Sequence, residues 1–248
     1  MIVGNYGSGK TEVAVNLAIQ LAQAGRQVQL ADLDLVNPYS RSREAQRLME
    51  AHGIRVVVPP GDQAYADLPI ILPQIAGMLH PPEGWTTIFD VGGDDVGAKA
   101  LAAFRPAIGD SPYQLWQVIN SKRPFTSSVD GCLEMQASLE TASRLLVTGL
   151  LANSHLIQDT EAETVLEGYD LAQEVSAKTK QPVRCVAAMD HVIDGDGQAF
   201  DRLEAPLLRM QRYMLPPWVQ PTTDVSDEPL PAARSIPIGR PEAHSHPR

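Results

Sequence analysis

Cysteine is nearly missing: Cys132 and Cys185 stand far apart in 248 residues and form no C-x-x-C pair. That excludes a disulfide framework and gives no support for a dedicated zinc or iron–sulfur centre, so both read as small buried core residues. Long apolar runs are missing too, since no stretch approaches the roughly 18 to 20 residues that a membrane span requires. Positive charge is in deficit, with 20 Lys and Arg against 30 Asp and Glu, a net charge of −10 and a pI near 5.0. The overall field therefore gives no help to non-specific binding of nucleic acid or an anionic bilayer, which leaves only a local basic patch open. There is no signal-peptide pattern, because Met1-Ile2-Val3 runs directly into a glycine loop, and the expected location is cytoplasmic. Three apolar residues are few for a central strand of about five, so the natural reading frame is expected to begin upstream of Met1.

What is present is a soluble, globular composition, 44% hydrophobic and 20% charged, with length enough for one large α/β domain. At its start Gly4-Asn5-Tyr6-Gly7-Ser8-Gly9-Lys10-Thr11 matches G-x-x-x-x-G-K-[ST] at every fixed position. An apolar stretch precedes it and a helix-periodic run, Glu12 to Ala22, follows, which is the strand, loop and helix order that the motif needs. Glycines let successive backbone N–H groups converge on a polyphosphate, and the helix N-terminus adds partial positive charge. Lys10 is then expected to reach the β- and γ-phosphates, and Thr11 to hold Mg²⁺ through its hydroxyl.

Downstream, strands and helices alternate. Gln27 to Leu33 reads as a strand that delivers Asp32 and Asp34 to its C-terminal end, the edge where parallel sheets bind ligands. A helix is expected over Arg43 to His52, a short strand over Ile54 to Val58 closed by Pro59-Pro60-Gly61, and a helix around Leu68 to Leu79. Thr86 to Phe89 is an apolar strand ending at Asp90-Val91-Gly92-Gly93, the form of a Walker B and switch element, with Asp90 in the metal shell and the Gly93 N–H at the γ-phosphate. Asp94 and Asp95 serve either that metal shell or the start of the next helix. Further strands are expected at Leu115 to Asn120, Leu145 to Leu151 and Pro182 to Ala188, with helices at Val129 to Ser143, Glu161 to Lys178 and Phe200 to Met214. The last of these carries Phe200, Leu203, Leu207 and Leu208 with Arg202, Arg209 and Arg212, a pattern of a docking helix or of one lying on a bilayer, interrupted by Pro206. The pattern predicts a three-layer, doubly wound, mostly parallel sheet with helices on both faces. The domain is expected to span residues 1–215, with a Pro-rich, largely disordered tail at 216–248.

With the loop, Asp32-Leu33-Asp34 and Asp90-Val91-Gly92-Gly93 identified, the chain resembles the MinD, ParA and nitrogenase-iron-protein class of P-loop nucleotidases over about residues 1–215. The resemblance implies that Asp32 and Asp34 form switch I and position the attacking water, and that Asn153 recognises adenine. N-K-x-D is absent, which favours ATP over GTP. The resemblance also implies a nucleotide-dependent homodimer and a protein partner. It departs at Asn5, where the class carries a signature lysine that crosses the dimer. The charge that builds on a transferring phosphoryl group still calls for a cation, for which Arg41, Arg43, Lys122 and Arg123 are candidates. The expected activity is a Mg²⁺-dependent ATPase switch. A synthetase or amidotransferase of the cobyrinic acid and dethiobiotin synthetase type, and a non-hydrolysing nucleotide-binding scaffold, share the same motifs. DNA partitioning is disfavoured by the acidic balance, and stable membrane association is not expected.

Overall fold

A computed structural model describes residues 1–33, 40–57, 75–93 and 95–214, with the backbone only at residues 40–45, 95 and 96. The described elements, in order, are strand β1 (Ile2–Gly4), helix α1 (Lys10–Gln23), strand β2 (Gln27–Leu33), helix α2 (Ser40–Ala51) and strands β3 (Arg55–Val57) and β4 (Trp85–Val91). They continue with α3 (Asp95–Ile108), β5 (Trp116–Ile119), α4 (Val129–Ser143), β6 (Gly149–Ala152), α5 (Ala162–Thr179), β7 (Val183–Met189), α6 (Asp190–Gly195) and β8 (Leu207–Met210). The strands form one parallel sheet in the order β3-β2-β4-β1-β5-β6-β7-β8.

Two-residue alternation along the strands divides the core into two layers. Val28, Leu30, Ile88, Val118, Leu151, Cys185 and Leu208 pack with Val13, Leu17 and Leu21 of α1 on one face. Leu33, Phe89, Val91, Leu150 and Val186 pack with Leu101, Phe104, Leu139, Val165 and Tyr169 of α3, α4 and α5 on the other. Both cysteines are buried and unbridged, as their isolation in the sequence predicts. Among the described residues no helix is long and apolar enough to cross a membrane.

One expected element is wrong. The helix predicted over Phe200 to Met214 is instead a 3₁₀ segment, Gly197–Arg202, followed by strand β8 paired with β7. The apolar spacing imitates a helix, but Pro206 biases its predecessor away from helical backbone, and two further elements supply the chain's hydrogen bonds. One is β7. The other is a polar stripe on α1 at i, i+4 and i+8. Gln20 Nε2 donates to the Arg209 carbonyl. Asn16 Nδ2 donates to the Gln211 carbonyl at 2.9 Å, and the Gln211 N–H returns a bond to Asn16 Oδ1 at 2.8 Å. Glu12 accepts from the N–H groups of Tyr213 and Met214. With the helix goes the docking-helix and bilayer-lying alternative for this segment. The strand expected over Leu145 to Leu151 is also shorter and later, at Gly149–Ala152. Pro59 to Gly61, most of the segment around Leu68, and residues 216–248 lie outside the described residues.

Asn16 is 1% exposed and satisfies both backbone groups of Gln211. Replacing it with alanine should cost about 1–3 kcal/mol in denaturant unfolding, because two polar main-chain groups lose their partner away from water.

Candidate functional site

The site is assembled at the C-terminal edge of the sheet. The chain leaves β1 at Gly4 and turns through residues 5–9, where Ser8 N–H bonds to the Asn5 carbonyl at 3.2 Å. Gly9 caps α1 in the left-handed region at φ 86°, with no side chain capping the helix. A Cβ on Gly9 would lie 2.4 Å from Asn153 Nδ2, so the position needs glycine for conformation and for space. The first-turn amides of α1 are thereby left pointing out of the loop, as an anion site requires.

Lys10 is 7% exposed and donates from Nζ to the Asn5 carbonyl at 3.0 Å. The Asn5 side chain accepts from the Tyr6 N–H at 2.8 Å, so it braces the loop locally. Asp32 and Asp90 are direct neighbours in the β2–β4 register and are 6% and 2% exposed. Each follows its strand's α1-facing residue, Leu30 or Ile88, by two, so both carboxylates lie on the face that carries Lys10 and Thr11. Gly93 closes this side: a Cβ there would fall 2.7 Å from Tyr6 Cα and 2.8 Å from Lys10 Nζ.

The carbonyl edge of the loop is held from the neighbouring strands. Asn153, 2% exposed, donates from Nδ2 to the Ser8 carbonyl at 2.8 Å. Arg123 Nε donates to the Gly7 carbonyl at 2.9 Å. Lys122 turns away to Glu167. Among the described residues, the buried Ser8 Oγ and the Nδ2 of Asn120 have no hydrogen-bond partner. Polar atoms left over beside an open amide cradle fit a polyphosphate ligand. A hydroxyl at Thr11 and a carboxylate at Asp90 are donors of the hard oxygen type that Mg²⁺ takes alongside phosphate. Asp34 and Asp94 lie outside the described residues, as do the side chains of Arg41, Arg43 and Asp95.

Two titratable groups near the loop were not anticipated. Glu12, next to Thr11, is pushed up to about 7 by burial, against the opposing pull of the Tyr213 and Met214 N–H groups and of Arg212. His155, whose Nε2 would lie 3.3 Å from a Cβ on Gly9, is lowered by burial and then by Arg123 and Arg212. The available sequence signal was the spacing of Glu12, Asn16 and Gln20, polar at every fourth position of a helix that is otherwise apolar from Val13 to Ala22.

A phosphate-cradling loop on a parallel sheet, with a buried lysine and two carboxylates beside it, defines a P-loop nucleotide-binding protein. The model of the CobQ/CobB/MinD/ParA nucleotide binding domain matches residues 3–181. The chain belongs to that family. Among solved structures, chloroplast FtsY from Physcomitrella patens is similar at 18% identity and a TM-score of 0.51, over 74% of this chain and 56% of that one. Cell division protein FtsY from Thermotoga maritima matches at 20% identity and 0.49, over 74% and 58%. A nucleotide-binding protein from Archaeoglobus fulgidus, in complex with ADP, matches at 16% and 0.46, over 80% and 86%. The chain thus spans less than two thirds of the FtsY chains, and the likeness is one of fold. A search of curated protein sequences found no match.

Two predictions come from this geometry. The Gly93→Ala methyl would meet backbone that cannot swing aside, so nucleotide affinity measured by calorimetry should fall about tenfold or more while the circular dichroism is kept. Glu12 binds its proton more tightly in the folded protein, at about 7, than at its ordinary 4.5. The resulting stabilisation is complete below 4.5 and is lost as pH rises through about 7, so the melting temperature should fall across that window. In Glu12→Gln the same scan should be flatter.

Proposed function

We propose that the protein is a Mg²⁺-dependent nucleoside triphosphatase switch of the MinD/ParA-like type that uses ATP, acts on a protein partner and works in the cytoplasm. The observation that carries this reading is the meeting of Lys10, Asp32, Asp90 and Gly93 at the mouth of the phosphate loop. In this reading the amides of residues 4–11 and Lys10 hold the phosphates, and release of Lys10 from the Asn5 carbonyl accompanies binding. Thr11, Asp90 and Asp34 would hold Mg²⁺, which would supply charge neutralisation for the phosphates. Asp32, with Asp34, orients the water that attacks. The Gly93 N–H senses the terminal phosphate, and Asn153 contacts adenine from its position on the Ser8 carbonyl. Little covalent help is needed from the protein, because phosphoryl transfer to water depends chiefly on positioning and charge.

A switch needs a surface that the bound state can present. Tyr6, Phe125, Leu156 and Ile157 are large apolar side chains 46% to 70% exposed, and they lie in the loop itself or in the segments after β5 and β6, at the same edge of the sheet. This supports contact with a second copy or a partner there, formed when nucleotide orders the edge. The nucleotide-binding domain is taken to cover residues 1–215.

The test is Mg²⁺-ATP binding and turnover in wild type and Lys10→Ala. Affinity in the variant should drop by about a hundredfold, in line with loss of a charge-assisted phosphate contact of roughly 3 kcal/mol. Unchanged affinity would defeat the assignment. Turnover that appears only when a small carboxylic acid is added would move the protein to the synthetase class.

A further inference from the structure

We propose that Arg123 is a cation that the chain itself supplies to the phosphates of the bound nucleotide, so that the charge at the site is complete within one protomer. This rests on the nucleotide reading above and adds the group that Asn5 cannot provide. The guanidinium lies over the backbone of Gly7: Nε bonds to the Gly7 carbonyl at 2.9 Å, and a Cβ on Gly7 would be 3.0 Å from Cζ and 3.1 Å from Nη2. With Nε engaged, Nη1 and Nη2 have no acceptor among the described residues.

Among the described cations without a carboxylate partner, which also include Arg26, Arg144 and Arg184, Arg123 is set apart by its contact with the phosphate loop. Lys122 is paired with Glu167, Lys178 with Asp130, Arg202 with Asp170, and Arg209 with Asp190 and Asp194. Arg212 shares its surroundings with Glu12. Arg123 is half-buried, and no carboxylate pairs with it among the described residues. A partly desolvated cation without a counter-ion is costly unless a ligand brings the negative charge. The ligand at hand is the phosphate chain cradled by the loop on which this guanidinium rests. Its planar fork suits two phosphate oxygens at once, which a lysine at the same place would not match. Burial, with Arg123 and Arg212 nearby, holds the neighbouring His155 below the ordinary histidine range, which favours its neutral form at this edge.

The consequence is a different economy from a site completed across a dimer: a partner copy is not required for charge. The experiment compares wild type, Arg123→Gln and Arg123→Lys by calorimetry with Mg²⁺-ATP, Mg²⁺-GTP, ADP and phosphate-free adenosine at low and high salt, with ligand-free melting and hydrolysis at several protein concentrations. Arg123→Gln should bind the triphosphates about ten- to a hundredfold more weakly, with a shallower salt dependence by about one charge, as expected for one lost charge-assisted contact. Adenosine affinity should not move, the ligand-free melting temperature should fall by no more than the loss of the single Gly7 hydrogen bond allows, Arg123→Lys should fall between, and wild-type turnover per protomer should not change with protein concentration. Triphosphate affinity within twofold of wild type, or equal weakening of adenosine together with a lowered ligand-free melting temperature, would overturn the proposal; the second pattern describes a brace for Gly7 only. Turnover per protomer that rises with concentration overturns it as well. A wild type that binds none of the nucleotides removes the nucleotide reading itself.

Discussion

The site depends on one geometric constraint, the alternation of side chains along parallel strands that all end at the same edge. Leu30 and Asp32, Ile88 and Asp90, Val118 and Asn120, and Leu151 and Asn153 are each an apolar residue on the α1 face followed, two positions on, by a polar one. The strand end is where the α1 layer gives way to the phosphate loop, so the same alternation that builds the core turns four polar side chains onto the loop's floor. A slip of one residue in any strand would send its polar group into the α3–α5 layer. Core packing and site geometry are therefore specified by a single register.

Within that frame the two sides of the loop do different work. Lys10, Asp32, Asp90 and Gly93 lie on one side, with Gly93 so close to Tyr6 that no side chain fits. On the other side Asn153 and Arg123 take the carbonyls of Ser8 and Gly7. Because those carbonyls are satisfied from neighbouring strands, the loop can hold left-handed glycines without collapsing onto its own amides. The lysine is the movable part, resting on the Asn5 carbonyl.

Much of this was legible in the sequence because it is local. The G-x-x-x-x-G-K-[ST] spacing, the strand Gln27–Leu33 and the acidic end of β4 are each contained in a few residues, and their order implied the parallel sheet. The failures are tertiary. Leu203, Leu207 and Leu208 have helical spacing, and only the partner surfaces, β7 and the polar stripe of α1, decide for a strand. Likewise four arginines and lysines were equivalent as candidate cations in the sequence. For the two whose side chains the structure describes, the difference lies in what each meets across the fold: Lys122 finds Glu167 and Arg123 finds Gly7. The contact of Asn153 with Ser8 joins residues 145 positions apart, a separation at which no spacing rule operates.

The grip of α1 on β8 and the segment after it is exercised through main-chain groups: Gln20, Asn16 and Glu12 bind the backbone of residues 209, 211, 213 and 214, while the side chains of Tyr213 and Met214 pack on the same layer. The hydrogen-bonded part of this clasp reads main chain, so the residue it excludes at 211, 213 and 214 is proline, which has no N–H to offer. The helix that begins at the phosphate loop is thus laced along its length to the last described strand. Any tilt of its first turn would be felt at Met214, giving the nucleotide's end of the helix a mechanical line to the far end of the fold's chain path.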